Sequence, residues 1–122
     1  MNNPILRGPG CALAAHGLEF RPELFLLEAT FAEDVELAYG KAVLPETFLV
    51  FRISDSGVNA EQHEAAIRFL RRYRNEILRL SKFPHVAQVN LRCQVANGES
   101  FEERYPDELL TLAVDCGLTV LA

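Results

Sequence analysis

The sequence has no long apolar run, and this absence argues against a membrane-spanning helix. Its longest uncharged apolar stretches fall far short of the roughly 20 residues that cross a bilayer. Residues 1–7 also lack the basic-then-apolar order of a secretory signal peptide. We therefore expect a soluble cytoplasmic protein that is neither exported nor inserted in a membrane.

Cysteine is scarce as well. The chain has three cysteines, Cys11, Cys93 and Cys116. No two of them have C-x-x-C spacing, and a secreted disulfide framework normally has an even number of cysteines in a shorter chain. All three belong to segments predicted to bury an apolar face, where a free cysteine behaves as a small hydrophobic residue. We expect three free thiols in or near the core.

Motifs that carry known chemistry are also missing. The chain contains no G-x-S-x-G, Walker A, H-E-x-x-H, EF-hand or dinucleotide-binding pattern. Its histidines, His16, His63 and His85, are far apart, and no pair has the i, i+4 spacing of metal ligands on a helix. These absences favour a non-enzymatic protein that holds no metal and no cofactor.

The composition is that of a folded domain. Apolar residues make up 49% and charged residues 24% of the 122 residues, which excludes disorder and fits one domain over residues 1–122. A chain of this length can bury roughly two thirds of its unfolded surface. The net charge of −5 disfavours binding to nucleic acid.

Periodicity predicts strands alternating with helices. Apolar residues recur at spacings of three and four after Asn59, which has capping-box spacing to Gln62, and Pro84 ends this long helix. Within 86–95, polar and apolar residues alternate from Gln88 to Val95, as in a strand with one buried face and one solvated face. The predicted strands are 10–17, 35–39, 47–54, 86–95 and 118–121, and the predicted helices are 22–28, 59–82 and 106–116.

This order predicts an α+β two-layer sandwich. We expect a four- or five-stranded, mostly antiparallel sheet with about three helices on one face. Residues 47–54 are apolar almost throughout and are expected in the middle of the sheet. The second sheet face would meet solvent or a partner, and the open sheet edges make a homodimer a reasonable expectation.

The most unusual local feature is a basic cluster on the long helix. Six of the twelve Lys/Arg residues fall within positions 68–82. One interpretation is a surface that binds an acidic protein, and the alternative is a solvated face balanced by acidic neighbours such as Glu102 and Glu103. The residues expected to contact a protein partner are Arg68, Arg71, Arg72, Arg79 and Lys82.

A second hypothesis places a small-molecule pocket, of a binding protein or an enzyme, near the N-terminal strand. Cys11 and His16 could act as nucleophile and base, and Asp55 follows a strand close to the start of the long helix. Residues five apart on one regular strand point to opposite faces, so Cys11 and His16 need a bulge between them to meet.

Two segments carry a resemblance. Residues 66–77 (AIRFLRRYRNEI) and 106–113 (PDELLTLA), followed by Gly117-Leu118, resemble a family of short bacterial α+β proteins of unknown function. The resemblance covers the C-terminal half and supplies no active-site residue. Similar small bacterial proteins serve as immunity partners of toxins. The resemblance therefore favours an immunity-like or regulatory protein that binds another protein or a second copy of itself.

Overall fold

The computed structural model describes residues 9–41, 46–94 and 105–121. They form five strands and four helices. In chain order the elements are β1 (Gly10–Leu18), α1 (Pro22–Leu27), β2 (Glu36–Lys41), β3 (Glu46–Ser54), α2 (Asn59–Arg72), α3 (Arg74–Ser81), β4 (Gln88–Gln94), α4 (Asp107–Asp115) and β5 (Thr119–Leu121).

The strands form one five-stranded sheet in the order β2-β3-β1-β4-β5. All neighbours are antiparallel except β4 and β5, which α4 connects as a parallel pair. The predicted α+β class and the mostly antiparallel sheet are confirmed. The strand predicted at 47–54, β3, lies centrally as expected, with a neighbour on each side, and β1 occupies the middle position.

The core lies between the sheet and the helices. Cys11, Leu13 and Ala15 alternate along β1 and are fully buried on the face that α2 covers. Leu91 of β4 is also fully buried, while Arg92 beside it is exposed, which confirms the predicted alternation. The helices contribute fully buried residues to the same layer, namely Phe25, Ala66, Leu70, Ile77, Leu80 and Leu109.

The long helix predicted at 59–82 is divided at Tyr73, which explains the fourth helix. Tyr73 has φ −111° and ψ 23°, outside the helical region, but its N–H still bonds to the Phe69 carbonyl and its own carbonyl accepts from the Ile77 N–H. The Tyr73 hydroxyl accepts a hydrogen bond from the Ala32 N–H at 3.2 Å, and its ring packs against Phe31. These distant contacts hold the side chain where the helix bends.

The predicted capping box at the start of this helix is wrong. Val58 is the N-cap, and no side chain caps the helix there. Asn59 is the first helical residue, and the Gln62 side chain donates to the Ser56 carbonyl at 2.7 Å. Ser56 turns the chain instead, because its hydroxyl accepts from the Val58 N–H at 3.1 Å.

The C-terminal elements follow the predicted pattern. Pro106 precedes α4 as its N-cap, and Gly117 ends the helix region with φ +75°, a conformation that glycine adopts without strain. Gly40 and Lys41, where the sequence suggests a turn, form the end of β2 instead, and the turn expected at Asn97-Gly98 lies outside the described residues. In the part of the chain that the structure describes, no helix is long and apolar enough to cross a membrane.

Candidate functional site

An open groove of about 570 Å³ lies at the β2 side of the sheet. Its walls are the β1–α1 connection, the end of β2 and the start of β3. Phe20, Pro22 and Tyr39 line it together with charged residues. The complete lining is Glu19, Phe20, Arg21, Pro22, Glu23, Tyr39, Gly40, Lys41 and Thr47.

One side chain fixes the wall of this groove. The Thr47 hydroxyl lies 2.5 Å from the Phe20 carbonyl oxygen and 3.3 Å from that of Gly17. It therefore ties the start of β3 to the connection after β1. Phe20 is buried, with 1% of its surface exposed, and Pro22 begins α1. The groove is therefore framed by well-packed elements.

The groove adjoins an unpaired edge of the sheet. Among the described residues, β2 pairs only with β3, so its other edge has no partner strand. Tyr39 lies opposite Leu49 of β3 and therefore on the same side of the sheet as the core. It nevertheless remains 50% exposed, because no described helix covers the end of β2.

A second cluster lies at the start of β1 and contains two thiols. Cys11 and Cys93 lie directly opposite each other on β1 and β4, and their sulfur atoms are 3.1 Å apart. Tyr105 is hydrogen-bonded to Cys93 and packs against the His63 ring, with centroids 5.1 Å apart. Both cysteines are free and buried, which confirms the predicted thiol state and location. Cys116 is also free and buried.

The two paired thiols have different acidities. Hydrogen bonding to Cys11, and then to the Tyr105 hydroxyl, lowers the pKa of Cys93. Hydrogen bonding to Cys93, and then burial, raises the pKa of Cys11. Burial, and then the neighbouring Cys93, raise the pKa of Tyr105 to about 12. Of the two thiols, Cys93 is therefore the one that gives up its proton more readily, because its pKa is lowered while that of Cys11 is raised.

The predicted partner-binding residues lie on one side of α2 and α3 and are largely exposed, but most are engaged within the chain. Arg68 bonds to Glu64 at 2.6 Å, and Arg71 forms an ion pair with Glu108 of α4. Arg74, another member of the basic cluster, lies 3.5 Å from Asp115. These acidic neighbours come from the same helix and from α4. Glu102 and Glu103, which were expected in this role, lie outside the described residues.

The remaining members of the basic cluster divide into two kinds. Arg79 is only 31% exposed and covers the Phe25 ring. Arg72 and Lys82 are exposed and form no ion pair among residues 9–41, 46–94 and 105–121. The basic surface available to a partner is thus smaller than the sequence suggests.

The structure does not bring Cys11, His16 and Asp55 together. Cys11 faces the helices, while His16 faces the other way at the far end of β1, with its Nδ1 atom 2.8 Å from Glu46 Oε1. Asp55 accepts a hydrogen bond from Arg52 Nε at 2.9 Å. The described residues contain no cluster of three or more His, Cys, Asp or Glu side chains that could hold a metal ion.

The features missed at the sequence level depend on strand order. Cys93 occupies an inward position of an alternating strand, but its contact with Cys11 requires β1 and β4 to be neighbours. Tyr39 reaches the groove only because β2 lies at the sheet edge beyond β3. A pattern of inward-facing cysteines on two predicted strands is the one signal that could have suggested the thiol pair.

These observations define a two-layer α+β protein with helices on one sheet face, a groove beside the edge strand β2 and a buried pair of thiols. Comparisons with protein-family models, with curated proteins and with solved structures find no significant match. The argument for function therefore depends on the geometry of this chain.

Proposed function

We propose that the chain is a non-enzymatic protein-interaction module that binds an extended segment of a partner protein along β2. The observation that carries this proposal is the position of the groove next to β2, which is an edge strand in the sheet formed by the described residues. An extended segment would add a strand to the sheet through main-chain hydrogen bonds. One of its apolar side chains would enter the groove beside Tyr39.

The β2 edge supports strand addition. It is six residues long, so a bound segment of similar length could follow it over roughly 20 Å. Natural proteins blunt exposed edges by making them very short, and β5 at the opposite edge has only three residues. The longer edge is the one beside the groove, which favours β2 over β5 as the binding strand.

The groove supplies specificity. Tyr39 offers an exposed ring beside the buried Phe20 and Pro22, while Arg21, Glu23 and Lys41 add charges of both signs. Arg21 and Glu23 already bond to each other at 3.2 Å. An apolar centre with a polar margin is the usual anatomy of a protein interface.

Selection from a random peptide display library would test the proposal. We expect selected peptides to slow amide exchange in 36–41 and leave 119–121 unaffected. Tyr39→Asp should weaken their binding by about tenfold or more, because a charge in the groove is costly to desolvate. Leu110→Asp is the matched control: Leu110 is 40% exposed on α4, and its substitution should leave the affinity within about twofold.

Two outcomes would contradict strand addition. The first is a selection that yields no binding peptide. The second is a set of peptides that bind wild type and Tyr39→Asp equally and protect amides elsewhere in the sheet. Peptides that instead lose affinity in the Arg68, Arg71 and Lys82 charge reversals would place binding on the basic face of α2 and α3.

The volume of the groove favours a small molecule as the second candidate function, because ligand pockets commonly fall between about 300 and 1,000 Å³. Screening a fragment library by ligand-detected NMR would separate the two functions. A small-molecule site would be favoured by fragments that bind wild type but not Tyr39→Asp. Such fragments should not compete with any selected peptide and should not slow amide exchange in β2.

A further inference from the structure

Cys11 and Cys93 are positioned for a bond between them. They are a directly opposed pair on neighbouring antiparallel strands, and their sulfur atoms are 3.1 Å apart. Directly opposed residues in such strands have Cα atoms about 4.5–5.5 Å apart. This separation falls within the range of roughly 4.4–6.8 Å found in disulfides. The backbone therefore needs no rearrangement to accept a Cys11–Cys93 disulfide.

The surroundings distinguish the two sulfurs. Cys11 is fully buried, whereas Cys93 is 7% exposed and is the more accessible of the two residues. Tyr105 is hydrogen-bonded to Cys93, and the Cys11 thiol is within hydrogen-bonding distance of the same sulfur. The Tyr105 hydroxyl stabilises the thiolate of Cys93, which is the nucleophilic form of that side chain.

We propose that Cys93 is an oxidant-reactive thiol and that Cys11 resolves it, forming a reversible disulfide between β1 and β4. The oxidant belongs to the hydroperoxide class. This site lies in the thiol cluster and does not share a residue with the groove, so it goes beyond the interaction function and does not depend on it.

The chemistry balances in two steps. The Cys93 thiolate attacks one oxygen of hydrogen peroxide, the O–O bond breaks, and hydroxide leaves while Cys93 becomes a sulfenic acid. The Cys11 sulfur then attacks the Cys93 sulfur, and the sulfenic oxygen leaves as water with the Cys11 proton. Two thiols and one hydrogen peroxide thus give one disulfide and two waters. A dithiol reductant reverses the change by thiol–disulfide exchange.

A disulfide here would link residues 82 positions apart in the chain. Closing so long a loop restricts the unfolded chain strongly, so oxidation should raise the melting temperature. We expect a rise on the order of 10 °C for a domain of this size. Dithiothreitol should return the melting temperature to that of the reduced protein.

The primary test treats the full-length wild-type chain with hydrogen peroxide. The expected product is a monomer that has lost two hydrogen atoms, with one cross-linked peptide pair containing Cys11 and Cys93. Cys116, buried and free, is the internal control and should remain a thiol. An unchanged mass, a cross-link that involves Cys116 or a purely intermolecular disulfide would overturn the proposal.

Two variants test the assigned order of attack. In Cys11→Ala, which lacks the resolving thiol, Cys93 should accumulate as a sulfenic acid that dimedone traps. In Cys93→Ala, Cys11 should resist the same peroxide concentration. Circular dichroism would establish that each variant is folded. Equal reactivity of Cys11 in wild type and in Cys93→Ala would remove Cys93 from the attacking role.

Discussion

The Arg79 guanidinium lies over the Phe25 ring, 4.2 Å from its centroid, and donates a hydrogen bond to the Phe25 carbonyl at 3.1 Å. Arg79 also lies 3.6 Å from Glu76, and the Glu76 carboxylate accepts from the Thr30 N–H at 2.7 Å. This contact joins α3 to α1 and to the chain that follows it. A residue that the sequence suggested for partner binding therefore has a structural role.

Replacing Arg79 should destabilise the fold. We expect Arg79→Ala to lower the free energy of unfolding by about 2 kcal/mol, through loss of a cation–π contact and a charged hydrogen bond. Lys82→Ala, at an exposed position three residues later, should change it by less than about 0.5 kcal/mol. Urea denaturation measures both. Equal effects of the two substitutions would contradict the structural role of Arg79.

Close approach of two backbones predicts a severe effect at Gly17. A Cβ atom added there would lie 1.9 Å from the His85 carbonyl oxygen, and the neighbouring His16 carbonyl accepts from the Ala87 N–H at 2.9 Å. Because the backbone must move to accept this atom, Gly17→Ala should lower the free energy of unfolding by about 3 kcal/mol.

Gly40→Ala is the matched control for this substitution. Its Cβ would lie 3.8 Å from the Phe48 ring, which is an ordinary contact. The free energy of unfolding, measured by thermal denaturation, should therefore change by no more than about 1 kcal/mol. A Gly17→Ala protein as stable as Gly40→Ala would show that the loop containing His85 moves freely away from β1.

The sequence predicted those elements whose periodicity is local. Strict alternation identified β4, with Leu91 buried and Arg92 exposed, because one strand face packs and the other is solvated. The division at Tyr73 could not be predicted in this way. It involves the Ala32 N–H and the Phe31 ring, about forty positions away in the chain, and no proline or glycine marks the bend.

The candidate sites were less accessible to sequence reasoning because both join distant strands. Cys11 was recognised as a potentially reactive residue, but with His16 as its partner, which β1 places on the opposite face. Its real neighbour is Cys93, across a strand pairing that the sequence order does not reveal. The groove likewise combines Phe20 and Tyr39, which belong to separate elements.

The hydroxyl of Thr47 should be needed to hold the groove wall. We expect Thr47→Val, which keeps the shape but removes the donor, to lower the free energy of unfolding by about 1 kcal/mol, since the Phe20 and Gly17 carbonyls lose its hydrogen bonds. The substitution should also lower the affinity for peptides that occupy the groove. Thr47→Ser retains the hydroxyl and should preserve peptide affinity. Identical behaviour of the two variants in urea titration and peptide binding would contradict this role.

The hydroxyl of Tyr105 should control the pH dependence of Cys93 alkylation. The Cys11 thiol and, next, the Tyr105 hydroxyl lower the pKa of Cys93 by stabilising its charged form. Tyr105→Phe removes one donor, so the pKa rises, less thiolate is present at neutral pH, and iodoacetamide should react roughly twofold to tenfold more slowly at pH 7. Peptide mass spectrometry of reduced protein across pH 5 to 10 would follow Cys93 alone. Tyr39→Phe, at a distant exposed tyrosine, should leave the profile unchanged. A profile that stays fixed in Tyr105→Phe, or that moves to lower pH, would show that Tyr105 does not stabilise the thiolate.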